Sequence, residues 1–296
     1  MLPKLTQTKA GTETESIRMG KIVYTNVWPV FYGFPQHQME DKVELITGTP
    51  AELNGMLASG EIDAAAVSSF AYAKHSDKLL LLPDLSVSSR GAVGSLLLFS
   101  KKPLHEYMPE RIALTNASAT SVHLLKVIMA KRYRHNPEYV AMPPDLDSML
   151  ESCDAALLIG DDAIKASWRE HGLFVSDLGQ MWKDWTGHGM TYAVWAVREQ
   201  WVKRHPEQAA LLHQALISSK RDGLRLPAAL LDTAVERIGG DSAYWRRYFS
   251  NLVYEFGEEQ AKGLSLFFSY AYELGLLPDI PSLRVWRHPN VMRVNE

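Results

Sequence analysis

The sequence predicts an α/β protein made of two lobes with a ligand cleft between them. Short apolar runs of strand length alternate with helix-like segments, and only a few residues separate one from the next. This alternation is typical of a parallel sheet covered by helices. It occurs twice, and a further strand followed by a largely helical region completes the chain. We therefore assign residues 19–100 and 190–296 to lobe 1 and residues 101–189 to lobe 2.

The composition is that of an ordinary globular protein. Of 296 residues, 46% are hydrophobic and 22% are charged, which excludes disorder of the bulk of the chain. The net charge of −3 argues against a surface devoted to nucleic-acid phosphates. The single cysteine, Cys153, excludes an intrachain disulfide and a cysteine-based zinc site. No stretch approaches the ~20 apolar residues that cross a bilayer, so we expect no membrane partner.

Residues 1–18 are polar and lack the apolar core of a secretory signal. We predict that they form a disordered leader, because they have neither periodicity nor apolar content. A cytoplasmic location is the resulting expectation.

In lobe 1 the apolar runs predict strands at residues 21–25, 43–46, 62–67, 79–82 and 93–99. The clearest helix spans residues 51–59, because Thr49 is a suitable N-cap and Pro50 suits the first helical position. Gly60 is a suitable residue to end it. Shorter helices are predicted after Trp28 and from residue 69 to 75.

In lobe 2 we predict strands at residues 111–115, 139–142, 155–159 and 173–175, and helices at 121–133, 145–151 and 163–170. Residues 191–197 form a strand that we assign to lobe 1. The remaining chain is predicted to be helical, with breaks near Gly223, Gly239-Gly240, Gly257 and Gly275.

Polar residues follow several of the predicted strands. They are Asn26, Ser68-Ser69, the segment from Ser118 to Ser121, and Asp161. In open α/β sheets the ligand lies beyond the carboxyl ends of the strands, near helix N-termini that attract anions. Each group taken alone is typical of a helix N-cap. Four such groups at one edge predict an anion-binding cleft.

The usual catalytic motifs are missing from the sequence. It contains no G-x-S-x-G elbow, no H-x-x-x-H pair, no G-x-G-x-x-G after a strand and no Walker loop. Cys153 is interpreted as buried and inert, and His188 as a loop residue between glycines. Trp182 and Trp185, at helical spacing, are interpreted as packing residues.

An ordered set of motifs from about residue 20 to 197 resembles the chorismate dehydratase family of the futalosine route to menaquinone. The matching segments are Tyr24-Thr25-Asn26, Ser68-Ser69-Phe70-Ala71-Tyr72, Ser88 to Ser95, Ser118 to Ser121, Leu158-Ile159-Gly160-Asp161, Asp177-Leu178-Gly179, Trp182, Trp185-Thr186-Gly187 and Ala193-Val194-Trp195. The resemblance implies a two-lobed fold like that of type II periplasmic binding proteins. One segment departs from the family pattern, since His188-Gly189-Met190 stands where Leu-Pro-Phe is usual.

The resemblance implies a lyase that removes water from chorismate to give 3-[(1-carboxyvinyl)oxy]benzoate. The implied partner is this small dicarboxylate, and the oligomeric state is left open between monomer and homodimer. Elimination places negative charge on the ring carboxylate, where fixed dipoles stabilise it best. Hydroxyls at a helix N-terminus provide such dipoles, so we expect no metal and no cofactor.

We assign roles to the matching residues on this basis. Asn26 holds the C4 hydroxyl or an enolate oxygen. Asp161 is a candidate base, although a carboxylate beside a dianion is unfavourable. The alternatives are that Asp161 caps its helix and that the substrate's own enolpyruvyl carboxylate takes the proton. The predicted substrate-binding residues are Ser118, Thr120 and Ser121 for one carboxylate, Ser68, Ser69 and Ser95 for the second carboxylate or the ring, and Ser88 and Arg90, of which Arg90 is equally consistent with a surface residue.

Three other functions fit the same sequence. One is a non-catalytic binding protein, because two-lobed folds of this kind mostly capture small ligands. Another is the sister enzyme of the same route, a 1,4-dihydroxy-6-naphthoate synthase. The third is a cytoplasmic ligand-sensing domain.

Overall fold

The computed structural model describes residues 16–34, 42–116 and 118–287. They form two α/β lobes, each built around its own sheet. Most of the predicted leader lies outside the described residues. Its last two residues, Ile17 and Arg18, instead begin the first strand, because Ile17 is buried in the core and pairs with Val43.

The strands, in chain order, are β1 (Ile17–Ile22), β2 (Val43–Gly48), β3 (Ala64–Ser68), β4 (Leu79–Ser89), β5 (Leu96–Ser100), β6 (Arg111–Thr115), β7 (Glu138–Met142), β8 (Ala155–Ile159), β9 (Phe174–Asp177), β10 (Met190–Arg198) and β11 (Leu252–Val253). The helices are α1 (Trp28–Phe31), α2 (Pro50–Ser59), α3 (Ser69–Lys74), α4 (Ala119–Val127), α5 (Leu146–Ser152), α6 (Gly160–Ser167), α7 (Leu178–Thr186), α8 (Glu199–Arg204), α9 (Pro206–Gly223), α10 (Ala228–Ile238), α11 (Ser242–Asn251) and α12 (Glu258–Glu273). A 3₁₀ turn, Thr25–Val27, precedes α1, and a π-helical turn, Ile128–Arg132, extends α4.

The sheet of lobe 1 has the strand order β11-β4-β10-β3-β1-β2. Strands β1, β2 and β3 are parallel, as predicted. Strand β10 instead runs antiparallel to both of its neighbours, β3 and β4. The sheet is therefore mixed, because the chain that returns from lobe 2 is inserted between two strands made earlier.

The sheet of lobe 2 has the order β7-β6-β8-β5-β9. Strand β5 pairs with β8 and β9 in this sheet, so residues 96–100 belong to lobe 2 and not to lobe 1. The first crossing between lobes consequently lies between β4 and β5, ahead of the boundary that we placed after residue 100. The chain crosses back between α7 and β10.

Helix α2 shows how the sequence fixes a helix start at the edge of the sheet. Thr49 is the N-cap, its hydroxyl accepts a hydrogen bond from the Glu52 backbone N–H, and the Glu52 carboxylate accepts one from the Thr49 N–H at 2.8 Å. Gly60 ends the helix in the left-handed conformation, with φ of 88°. The predicted cap, first residue and stop are thus confirmed, and the helix start is fixed at Pro50.

Of the C-terminal helices, α9, α11 and α12 contact strands of the lobe 1 sheet, and α10 packs on α11. The breaks predicted at four glycine positions are confirmed. Trp182, Trp195 and Trp245 are among the largest fully buried side chains. The packing interpretation of Trp182 agrees with its edge-on contacts to Trp185 and Phe267. Within the described part of the chain, no helix has the length and apolar character needed to cross a membrane.

Candidate functional site

A cleft lies between the lobes at the carboxyl ends of strands β1, β3 and β8. Five of the ten predicted site residues line it, and so do several aromatic and apolar residues. The five are Asn26, Ser68, Ser95, Ser118 and Ser121. The expectation that a ligand lies beyond the carboxyl ends of the strands therefore located the cleft. The roles assigned to these five residues stay predictions.

Helix N-termini from both lobes converge on this cleft. Pro50 at the start of α2, Ser118 at the N-cap of α4 and Gly160 at the start of α6 all line it. The first backbone N–H groups of a helix lack partners within the helix and carry partial positive charge. Among the described residues that line the cleft, none is lysine or arginine. The attraction for an anion therefore comes from helix ends and hydroxyls.

Asn26 supplies an acceptor without a partner. It lies in the 3₁₀ turn that follows β1, and its Oδ1 atom is buried with no hydrogen-bond donor from the residues that the structure describes. A buried, unsatisfied amide oxygen is costly, because it has lost its water without gaining another donor. This atom marks a place where a ligand donor fits.

The serine hydroxyls in the cleft are held by local contacts. Ser118 Oγ lies 3.0 Å from Ser121 Oγ and accepts from the Ser121 backbone N–H. Ser68 Oγ accepts from the Ala71 N–H and caps α3. Ser95 Oγ accepts a hydrogen bond from the Tyr248 hydroxyl at 2.9 Å. The capping interpretation is thus true of Ser68 and Ser118, which also face the cleft.

Four predicted binding residues do not line the cleft. The Ser69 hydroxyl donates to the Thr191 carbonyl, and Ser88 Oγ lies 2.9 Å from Thr191 Oγ1 in a buried pair. Thr120 Oγ1 accepts from the Phe70 backbone N–H at 2.9 Å. Arg90 is exposed and lies 3.8 Å from Glu259. Three of the four thus hold the walls together, and Arg90 lies on the surface.

Asp161, the predicted base, contacts Thr25 and does not line the cleft. Its Oδ1 accepts from Thr25 Oγ1 at 2.5 Å and from the Thr25 backbone N–H at 3.3 Å. Burial raises the pKa of Asp161, although the hydrogen bonds from Thr25 act in the opposite direction. The N-cap position of α6 is occupied by Ile159, so Asp161 does not cap that helix.

Two tyrosines that line the cleft, Tyr24 and Tyr192, are not among the predicted site residues. Burial, with a smaller contribution from Asp162 and Asp161, raises the pKa of Tyr24 to about 12. Burial also raises the pKa of Tyr192, whose hydroxyl lies 2.8 Å from Ser89 Oγ. Both therefore keep their phenol protons at neutral pH. The position of Tyr24 beside Asn26 at the end of a strand was the available signal, and Tyr192, within β10, had none.

Asp177 fixes the crossing segment that forms one wall. Its carboxylate accepts from the backbone N–H groups of Val93 and Gly94 at 3.0 and 2.7 Å, and it also caps α7. Val93 lines the cleft. The departure at residues 188–190 lies at the other crossing, where the Gly189 carbonyl accepts from the Trp182 indole N–H. His188, Gly189 and Met190 do not line the cleft.

The cleft has a volume of about 50 Å³. This volume holds a few water molecules, whereas pockets for small organic ligands span about 300 Å³ or more. A small organic ligand therefore fits only if the cleft widens.

A larger cavity of about 320 Å³ lies at the opposite edge of the lobe 1 sheet. It is lined by charges that pair within the protein, such as Arg198 with Asp63 and Lys203 with Glu199. Strand β10 ends there at Arg198 and α8 begins at Glu199, but this helix start carries the Glu199 carboxylate, which pairs with Lys203 and Arg284. The larger volume therefore does not identify this cavity as the anion site. The described residues contain no group of three or more potential metal ligands.

Comparison with known families gives a match over most of the chain. Residues 17–273 match the family model described as menaquinone biosynthesis. A curated chorismate dehydratase from Thermus thermophilus is 36% identical over 247 residues, which cover 78% of this chain and 87% of that protein.

Comparison with solved structures supports the two-lobed architecture. A crystal structure of a protein from Archaeoglobus fulgidus has a TM-score of 0.73 at 22% identity, over 88% of this chain and 98% of that one. The periplasmic aliphatic sulphonate binding protein SsuA from Escherichia coli has a TM-score of 0.70 at 12% identity, over 95% of both chains. The predicted fold of the periplasmic-binding-protein type is confirmed.

Proposed function

The chain belongs to the menaquinone biosynthesis family, and from that membership we propose that it is a chorismate dehydratase. The reaction removes water from chorismate and gives 3-[(1-carboxyvinyl)oxy]benzoate. One structural observation carries the proposal. Helix starts from both lobes surround a cleft whose described lining contains no cationic side chain but does contain an unpartnered amide oxygen.

The chemistry needs little beyond charge stabilisation and orientation. The hydrogen on C3 leaves as a proton, the hydroxyl on C4 leaves as water after taking up a proton, and the ring becomes aromatic. The C3 hydrogen is acidic because its electrons delocalise through the ring double bond onto the ring carboxylate. Groups that stabilise charge on that carboxylate therefore lower the barrier.

The N-terminus of α4 suits one carboxylate of the substrate. Ser118 and Ser121 present hydroxyls there beside the first N–H groups of the helix. Pro50 and Gly160 place two more helix starts within the same cleft, so the second carboxylate also meets positive dipole ends. Dipoles held by the fold cost no reorganisation during the reaction.

Asn26 suits the leaving hydroxyl. Chorismate with both carboxylates ionised has a single hydrogen-bond donor, the C4 hydroxyl, and the buried Oδ1 of Asn26 is an acceptor without a donor. We assign this pairing to orientation of the hydroxyl as a leaving group. The Asp161 carboxylate already accepts hydrogen bonds from Thr25. The enolpyruvyl carboxylate of the substrate is therefore the better candidate to accept the C3 proton.

The test is incubation of the purified protein with chorismate alone, followed by chromatography and mass spectrometry. We expect a product lighter by one water with the ultraviolet spectrum of a substituted benzoate, and no such product without protein. Tight binding of chorismate without turnover would indicate a binding protein, as SsuA is by its description. Absence of both binding and turnover would overturn the proposal and favour the sister naphthoate synthase.

A further inference from the structure

Several contacts join the two lobes at the rim of the cleft. Thr25, from lobe 1, donates two hydrogen bonds to Asp161 of lobe 2. Gly160 approaches the Tyr24 ring so closely that a Cβ atom placed on it would lie 2.9 Å from Tyr24 Cδ1. These contacts place the first turn of α6 directly on the segment that carries Asn26.

Thr25 needs an acceptor from outside its own turn. It is fully buried and begins the 3₁₀ turn, so its backbone N–H has no partner within that turn. Asp161 accepts from this N–H and from the hydroxyl of the same residue. When the lobes separate, both donors lose their acceptor, and the turn loses its anchor.

We propose that Asp161 is a positioning residue whose carboxylate, brought onto Thr25 by closure of the lobes, fixes Asn26 in the orientation that dehydration requires. This inference rests on the proposed function for its effect on turnover, but the contact between the lobes can be tested without turnover. It assigns to Asp161 an effect through Thr25 and no contact with the substrate.

The surroundings of Asp161 favour this role over that of a base. Asp162 and Lys165 lie near it on its own helix, Tyr24 faces it from lobe 1, and Tyr244 and Tyr248 face it from α11. Burial and the like charge of Asp162 raise the pKa of Asp161, whereas the hydrogen bonds from Thr25 and the charge of Lys165 act in the opposite direction. The shortest contact of the carboxylate is with the Thr25 hydroxyl, at 2.5 Å, so its oxygens are engaged within the protein.

The first experiment separates positioning from base catalysis by two substitutions at one site. Asp161→Ala removes both hydrogen bonds, and kcat should fall by about 10- to 100-fold, the range for a lost bond to a charged group. Asp161→Asn keeps an Oδ1 that can accept both bonds, and most of the activity should return. An Asn variant as inactive as the Ala variant would overturn the proposal, because a base would be lost equally in both.

Thr25→Val supplies the matching change from the other lobe, since it removes the hydroxyl and keeps the shape. The double variant Thr25→Val, Asp161→Ala should be scarcely worse than Asp161→Ala alone, because the two groups act through one contact. The control is Asp162→Asn, which changes the adjacent carboxyl, whose pKa is also raised by burial. Additive losses in the double variant would contradict the proposal.

A readout independent of activity is amide hydrogen exchange of the peptide that contains Thr25. Exchange there should be about tenfold faster in Asp161→Ala than in the wild type or in Asp162→Asn. This result would support the contact even if chorismate proves not to be the substrate. Unchanged exchange in Asp161→Ala would overturn the inference and leave the proposed function intact.

Discussion

The imidazole ring of His123 lies flat on the ring of Phe70, with 3.6 Å between the ring centroids and 9° between their planes. His123 belongs to α4 of lobe 2, and Phe70 to α3 of lobe 1, so the stack joins the lobes. The hydrogen bond from the Phe70 N–H to Thr120 lies beside it. Burial lowers the pKa of His123 to about 4, and its Nδ1 lies 2.7 Å from the Ala119 carbonyl, to which it donates as a neutral ring.

This depressed pKa predicts a loss of stability in mild acid. The unfolded chain takes up a proton at His123 near pH 6.5, whereas the folded protein does so only near pH 4. Stability is therefore fully present above pH 6.5 and falls as the pH drops toward 4, by about 3 kcal/mol in all and by about 2 kcal/mol at pH 5. Urea unfolding measures this effect. The free energy of unfolding should differ less between pH 7.5 and pH 5 in His123→Phe than in the wild type. The exposed His105→Gln should behave like the wild type.

Substitution of Asn26 tests the proposed leaving-group contact. Asn26→Ala should lower kcat by about 100-fold, the range for loss of one oriented polar group, with little change in the free energy of unfolding. Steady-state kinetics with chorismate measure this change, and the exposed Asn251→Ala serves as the control. Turnover equal to that of the wild type would remove Asn26 from the mechanism.

The buried carboxylate of Asp63 predicts a second pH effect at the far edge of lobe 1. Burial alone raises the pKa of Asp63, but hydrogen bonds from Arg18 and Arg198 together outweigh it and hold the pKa below its usual value. Asp63→Asn should lower the free energy of unfolding by about 3 kcal/mol at pH 7, because two arginines lose their counter-charge.

The pairing of Asp63 with Arg18 and Arg198 also predicts how the free energy of unfolding changes with pH. Because the folded-state pKa of Asp63 is depressed, its stabilisation is present above pH ~4 and is lost as the pH falls through the folded-state value. Wild-type stability should thus fall more steeply than that of Asp63→Asn below pH 4. The exposed pair of Asp147 with Arg169 is the control, and Asp147→Asn should cost less than about 1 kcal/mol.

Two glycines with nearly the same φ allow the cost of backbone strain to be distinguished from the cost of a steric clash with a neighbouring side chain. Gly160 has φ of 58° and faces the Tyr24 ring, whereas Gly172 has φ of 61° with no atom within 4 Å of an added Cβ. Gly172→Ala should cost about 1 kcal/mol from the backbone alone. Gly160→Ala should cost more and should also lower activity, because it displaces Tyr24 next to Asn26. Equal costs and full activity would contradict the close packing of the lobes.

Local signals were sufficient to predict much of the architecture. Thr49, Pro50 and Gly60 define helix α2 because capping depends on a few neighbouring residues. The alternation of strands and helices predicted the fold class. The positions of Asn26, Ser68 and Ser118 after predicted strands predicted that they lie at the cleft, as they do.

The remaining features depend on contacts between distant parts of the chain. Ser69 and Ser88 have the same residue type as the cleft serines, but they are bound by Thr191, more than one hundred residues away in the chain. The acceptor role of Asp161 toward Thr25 spans 136 residues. The antiparallel direction of β10 likewise follows from the return of the chain, which periodicity does not encode.

The position of β10 has a consequence for the order of folding during synthesis. Strands β1 to β4 leave the ribosome long before β10, which separates β3 from β4 in the finished sheet. Until then the edges of β3 and β4 are unpaired and open to association with other chains. All five strands of lobe 2 lie in one uninterrupted stretch, from β5 to β9, so its sheet can be complete first. We therefore expect the nascent chain to acquire protease resistance in lobe 2 before lobe 1. The sheet of lobe 1 can be completed only after β10 has been synthesised.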